Sequence, residues 1–214
     1  MLPNGSRRRA LLYKKTHDRA RFDFAFFERF LEKQVSFVSK TENSLKFPNQ
    51  NIVCLHRGGM GPSRKKERVV NMKLFTIGYA QKSAEELFEV LIQNNVVKVI
   101  DVRLKNANSY CFYTHKRDFP FLLSLVGIEY EHKENWAPEG WLLDGYRDKK
   151  ISWDRYVEEF NRSIEARNII QGVTPEDLEG CALLCAEPTA EMCHRRLLAE
   201  YFKSKFPEIK IIHL

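Results

Sequence analysis

The stretch Ala182-Leu183-Leu184-Cys185-Ala186-Glu187-Pro188-Thr189-Ala190-Glu191-Met192-Cys193-His194-Arg195 carries the reading of the fold. Its first four residues are a near-continuous apolar run, the pattern of a strand covered on both faces. Pro188 has no N–H for a ladder and stops that strand. Thr189 is a capping type, and the pattern over 192–206 is helical. Ile209-Lys210-Ile211-Ile212 then reads as the last strand. Strand, helix and strand in succession form a parallel crossover unit.

Upstream, the same alternation repeats. Leu74-Phe75-Thr76-Ile77 is a short strand ending at Gly78-Tyr79. Ser83-Ala84-Glu85-Glu86 has capping-box spacing, and Leu87, Val90 and Leu91 share the helical face that follows. Val96-Val97-Lys98-Val99-Ile100 is a β-branched strand running into Asp101-Val102-Arg103. A short helix is expected over 119–126 and a third strand over 128–131. A long helix is expected over about 152–169, burying Tyr156, Phe160 and Ile164. Thr174 followed by Pro175 starts another short helix. The expectation is an α/β, Rossmann-like three-layer domain over 72–214: a mainly parallel sheet with helices on both faces. Ligands of such sheets bind beyond the carboxyl ends of the strands, where Tyr79, Asp101, Arg103 and the segment from Glu187 to Arg195 all fall.

Composition agrees with one such domain. The chain has 214 residues, 43% apolar and 29% charged, which excludes a wholly disordered polymer. No uncharged apolar run approaches the ~18 residues of a membrane span, so no membrane partner is expected. Five cysteines, an odd number, without a recognisable export signal point to reduced thiols and a cytoplasmic location.

The net charge of +7 is unevenly spread. Residues 1–71 hold 16 basic and 6 acidic side chains, a net +10, whereas 72–214 hold 19 and 22, a net −3. Arg7-Arg8-Arg9, Lys14-Lys15 and Arg64-Lys65-Lys66 make the first part a basic extension, and its composition is that of a poorly ordered arm. Within it, Phe22, Phe26, Phe27, Phe30, Leu31 and Val38 suit one imperfect amphipathic helix. Lys65-Lys66-Glu67-Arg68 would be encoded by purine-rich codons just before Met72, as a translated bacterial ribosome-binding site would be. The expectation is that the natural product starts at Met72, which its intact mass would test.

The chemistry gathers in three places. Cys193, read as lying in the first turns of its helix, is either a nucleophile with a lowered pKa or a small packing residue. Cys185, Glu187, Cys193 and His194 are also metal-ligand types. Their spacing lacks paired C-x2-C, and neighbours on a helix point about 100° apart, so no metal site is expected. Asp101 and Arg103 lie on one side of an extended chain, to bind a ligand or to hold a loop. Tyr110 closes a polar loop, Asn106-Ala107-Asn108-Ser109-Tyr110, and Trp136, Trp141 and Tyr146 surround a second loop at Pro138-Glu139-Gly140. Such aromatics either stack on a planar ligand or join the core.

Thr76-Ile77-Gly78, Asp101-Val102-Arg103, and Leu184-Cys185-Ala186-Glu187 followed by Cys193-His194-Arg195 resemble, over about residues 73–214, the family catalogued as domain of unknown function 488. Ala80 stands where that pattern has Ser or Thr. The resemblance implies a compact α/β domain of bacteria and archaea, with Asp101, Arg103, Cys185, Glu187, Cys193, His194 and Arg195 sharing one site. It implies neither an activity nor a cofactor.

Three functions compete at this level. One is an enzyme with Cys193 or Glu187 reacting, His194 moving protons, and Arg103 and Arg195 binding a small anion beside Tyr79 and Tyr110. A second is a nucleic-acid-associated module, whose arginines would contact phosphate. The third is a ligand sensor that catalyses nothing.

Overall fold

The computed structural model describes residues 72–107 and 111–214. The expectations for 1–71, namely a basic arm, a helix and a start at Met72, lie outside the described residues, as does Tyr110.

Five strands form one sheet: β1 (Met72–Gly78), β2 (Lys98–Asp101), β3 (Glu129–His132), β4 (Cys181–Cys185) and β5 (Ile209–His213). Their order is β3-β2-β4-β1-β5, and every pairing is parallel. The apolar run Cys181–Cys185 is the central strand, buried at all five positions. Register sets Gly78 opposite Cys185 and Asp101 opposite Leu184, so the carboxyl ends of β1, β4 and β2 finish level.

Among the described residues six α-helices accompany the strands: α1 (Ala84–Gln93), α2 (Phe119–Ser124), α3 (Gly140–Arg147), α4 (Trp153–Ala166), α5 (Pro175–Leu178) and α6 (His194–Lys205). The capping box expected at Ser83 is made, and Thr174 caps the helix expected at Pro175. Ser83 Oγ accepts from Glu86 N while Glu86 Oε2 accepts from Ser83 N, and before α5 Asp177 Oδ2 accepts from Thr174 N at 2.8 Å and from the Thr174 hydroxyl at 3.0 Å. Among the described residues no helix is long and apolar enough to cross a membrane.

Alternation along the strands divides the core in two. Leu74, Ile100, Val102 and Leu183 meet α4 and α6 through Phe160, Ile164, Leu198 and Phe202. The intervening residues turn the other way, toward α1 and α2, where Phe88 of α1 packs edge-on against Phe119, and Phe119 against Tyr130. Helices therefore cover both faces, and the chain is an α/β domain with an all-parallel sheet.

Three local expectations need correction. The loop read at Pro138-Glu139-Gly140 stops at Glu139, and Gly140 opens helix α3; its two glycines lower helix propensity, but tertiary contact overrides them as Leu142 enters the core. Asn106, at the start of the polar loop, is buried instead of open to solvent, and its side-chain amide donates to Tyr130 Oη at 3.0 Å. Finally, α6 begins at His194, and Cys193 is its extended N-cap residue (φ −133°, ψ 137°), not a residue of its first turns. Pro188 and the turns after it consume the residues that Thr189 was expected to lead into a helix.

Candidate functional site

The topology itself marks a site. After β1 and β2 the chain leaves toward α1 and α2 on one face, whereas after β4 it leaves toward α6 on the other. Since β4 lies between β1 and β2, connections diverge on both sides of its carboxyl end, which is where open parallel sheets form their ligand crevice. A cavity of about 670 Å³ opens there, lined among others by Tyr79, Arg103, Cys185, Glu187, Cys193 and His194.

Arg103 forms one wall, and Asp101 fixes it there. The Asp101 carboxylate is fully buried; its Oδ1 accepts from Arg103 Nε at 2.8 Å and its Oδ2 from Nη2 at 2.6 Å. Arg103 Nη2 also donates to the Thr114 carbonyl at 2.8 Å, and the guanidinium lies 5.0 Å from the centre of the Tyr79 ring. Burial opposes the charge on Arg103, but the hydrogen bonds and charge of Asp101 prevail and hold its pKa above the ordinary arginine value. Tyr130 completes the set by donating to Asp101 Oδ2 at 2.8 Å. Burial, then the Asp101 charge, raises the pKa of that phenol, so it stays a donor. Tyr130→Phe is expected to cost about 1–2 kcal/mol in urea unfolding, because Asp101 loses a donor and the Asn106 amide loses its acceptor. A loss within 0.3 kcal/mol, on the order of a surface change, would show the network to be slack.

The floor is sulfur and imidazole. Cys185 Sγ lies 3.6 Å from His194 Nδ1, and His194 Nε2 lies 3.0 Å from the Val102 carbonyl oxygen. A carbonyl only accepts, so Nε2 carries the proton, and in the neutral ring Nδ1 turns a lone pair toward the sulfur. Burial works against ionising Cys185. A hydrogen bond from Cys193, the backbone N–H groups of Glu187 and Ala186 and the charge of Arg195 outweigh it and lower the pKa of that thiol. Cys193 is pushed up instead, first by its hydrogen bond to Cys185 and then by burial, so of the two thiols Cys185 is the more readily ionised.

Arg195 lies beneath the floor instead of lining the cavity, and it is among the most buried side chains of the domain. Its Nη1 donates to the Glu187 carbonyl and to Cys193 Sγ at 3.4 Å, and its Nη2 lies 3.4 Å from the Pro188 carbonyl. Its Nε has no hydrogen-bond partner among the described residues, and no carboxylate there pairs with it. The loop it holds passes over the end of β1, and Gly78 is what lets it pass. A Cβ at that position would collide with the Glu187 carbonyl oxygen and approach Arg195 Nη1 to 2.9 Å.

The residues singled out in the sequence thus take different stations. Tyr79, Arg103, Glu187, Cys193 and His194 line the cavity; Asp101 and Arg195 stand behind it and position the others. Cys185, at the end of the central strand, lines the cavity too. Sequence reasoning missed Lys105, Arg147 and Thr114, which carry no motif. It assigned Tyr156 to the core, where its ring belongs, although that residue also borders the cavity. Trp136 is a core residue against Phe202, with ring centres 4.9 Å apart, while Trp141 is exposed. The separation expected between neighbours on a helix, which spoke against joint metal ligation, does not arise, because Cys193 precedes the helix.

A family model described as Domain of unknown function DUF488 matches residues 83–202. No curated protein and no solved structure matches the chain.

Proposed function

The chain belongs to the DUF488 family of domains of unknown function, and from that premise and the chemistry of the rim we propose that it binds a small anionic ligand in the cavity and acts on it through the Cys185–Cys193–His194 group. One observation carries the reading: Asp101 holds the Arg103 guanidinium at the wall of a cavity whose floor is two thiols and an imidazole. A guanidinium with its rotamer already fixed recognises an anion with little ordering cost. Lys105 and Arg147 on the lining and Arg195 beneath it add positive charge, against Asp101, Asp144 and Glu187, with Arg103 paired to Asp101 and Arg147 to Asp144. The local balance therefore favours an anion although residues 72–214 are net acidic.

The Cys185–His194 contact supplies a thiol and a proton acceptor, with Cys193 and Glu187 at its flanks. A concave cavity suits a small ligand better than the open basic surface a phosphate backbone needs. Thiols at the working end suit a reducing compartment such as the cytoplasm.

Alkylation of the reduced, chelator-treated chain tests this, mapped by mass spectrometry. The anionic reagent iodoacetate, compared with neutral iodoacetamide, is expected to be favoured at Cys185 or Cys193 on the order of tenfold more than at the half-buried Cys111. The same iodoacetate preference at all three cysteines, or no alkylation of Cys185 and Cys193 by either reagent, would overturn the reading.

A further inference from the structure

We infer that Cys185, Cys193 and His194 form a zinc site of three protein ligands, with a fourth coordination position open to the cavity. The inference deepens the reading above, resting on the same cavity but not on the charge of its ligand.

The geometry comes first. Cys185 Sγ, Cys193 Sγ and His194 Nδ1 all lie within 4.8 Å of one another. A tetrahedral Zn²⁺ with bonds of about 2.3 Å to sulfur and 2.0–2.1 Å to nitrogen has an S···N edge of about 3.5 Å. The Cys185 Sγ to His194 Nδ1 distance is 3.6 Å. That edge is already at its ligated length, and the other two edges are no longer than 4.8 Å.

The surroundings are those of a ligand set. Metal-binding histidines hold their second nitrogen on a carboxylate, backbone carbonyl or water, which fixes the tautomer and aims the lone pair. His194 does this through Nε2 and the Val102 carbonyl at 3.0 Å, leaving Nδ1 for the metal. Arg195 Nη1, 3.4 Å from Cys193 Sγ, supplies the positive charge a second buried thiolate needs, and it has no carboxylate partner among the described residues. The backbone of Cys193 adds to the arrangement. As an extended N-cap residue it turns its sulfur toward β4, while His194, the next residue, opens the helix. Neighbouring residues can therefore ligate together, which two residues inside a helix do poorly.

All three ligand residues also border the cavity. A fourth ligand would reach the metal from that cavity. Three protein ligands with an open position are the pattern of a reactive zinc centre, whereas a structural site has four. An anionic group held by Arg103 would approach the metal from that open side.

Titration of the chelator-treated full chain with Co²⁺, which reports tetrahedral thiolate ligation by colour, tests the site. One equivalent is expected to give intense visible bands and a sulfur-to-cobalt charge-transfer band, both removed by one equivalent of Zn²⁺. Cys185→Ser and Cys193→Ser should each weaken binding by at least on the order of a hundredfold. Because either variant could fold poorly, the wild-type chain provides a second readout: bound Zn²⁺ should shield Cys185 and Cys193 from alkylation while leaving Cys111 and Cys181 unchanged. Absence of the charge-transfer band, or zinc shielding that falls on other cysteines, would overturn the inference. Failure of the iodoacetate preference with an intact cobalt spectrum would remove only the anion.

Discussion

Asp101→Ala is expected to lower the stability of the domain by about 3–5 kcal/mol in urea unfolding. The carboxylate it removes is fully buried and accepts hydrogen bonds from Arg103 Nε, Arg103 Nη2 and Tyr130 Oη. Without it, Arg103 keeps a charge in a site almost closed to water and loses the counter-charge that makes this tolerable. The loss reports the stranded guanidinium more than the worth of the pair, and a second variant separates the two. Asp101→Leu with Arg103→Met removes both charges and leaves apolar side chains behind, so most of the stability should return. That double variant should fold yet lose most of the iodoacetate preference, since the wall no longer carries the fixed guanidinium of Arg103. A single variant within 1 kcal/mol of wild type, the range of an exposed ion pair, would mean that water reaches the pair after all.

The other large effect is expected at the end of β1. Gly78→Ala adds one methyl group where the Glu187 carbonyl passes over the strand. The obstacle is backbone rather than the tip of a flexible side chain. The strand cannot slide away, because Gly78 is opposite Cys185 in the parallel register and Tyr79 N donates to the Cys185 carbonyl at 3.3 Å. Relief must come from moving the loop at Glu187 and Pro188, which pulls on Arg195 and through it on Cys193. A cost of about 3 kcal/mol or more is expected, the upper part of the range for overpacking. Any folded fraction should bind Co²⁺ more weakly than wild type. Gly140→Ala is the control: its Cβ would meet only Leu104 Cδ2 at an ordinary 3.7 Å, and helix propensity favours alanine there. If Gly78→Ala unfolds at the wild-type urea concentration, the loop does not press on the strand as described.

Much of the scaffold was legible because local chemistry and tertiary need agree there. The run Ala182-Leu183-Leu184-Cys185 can only be a strand covered on both sides, and it is the central strand. Ser83 with Glu86, and Thr174 before Pro175, mark helix starts by chemistry contained within four residues. Where tertiary contact decides, the reading failed. Helix α3 carries Gly140 and Gly145 and is held by the burial of Leu142, a contact with distant residues. The start of α6 depends on how the Glu187–Pro188 loop is tied to Arg195, and a local capping rule cannot see that tie.

The site divides along the same line. The order of residue types along the chain determined that the strands lie parallel, that Asp101 and Arg103 share a side, and that a cysteine–histidine–arginine run follows the central strand. Those properties depend on alternation and spacing, which a chain carries in its own covalent geometry. Only the tertiary structure decided that Cys185 meets His194, that Arg195 supports the site from beneath while Arg103 faces the cavity, and that Asp101 positions its partner. Each of these joins groups brought together by crossovers over the sheet or by the fold of one loop. The free energy that settles them comes from burial and charge pairing among those groups, which no short window of sequence contains.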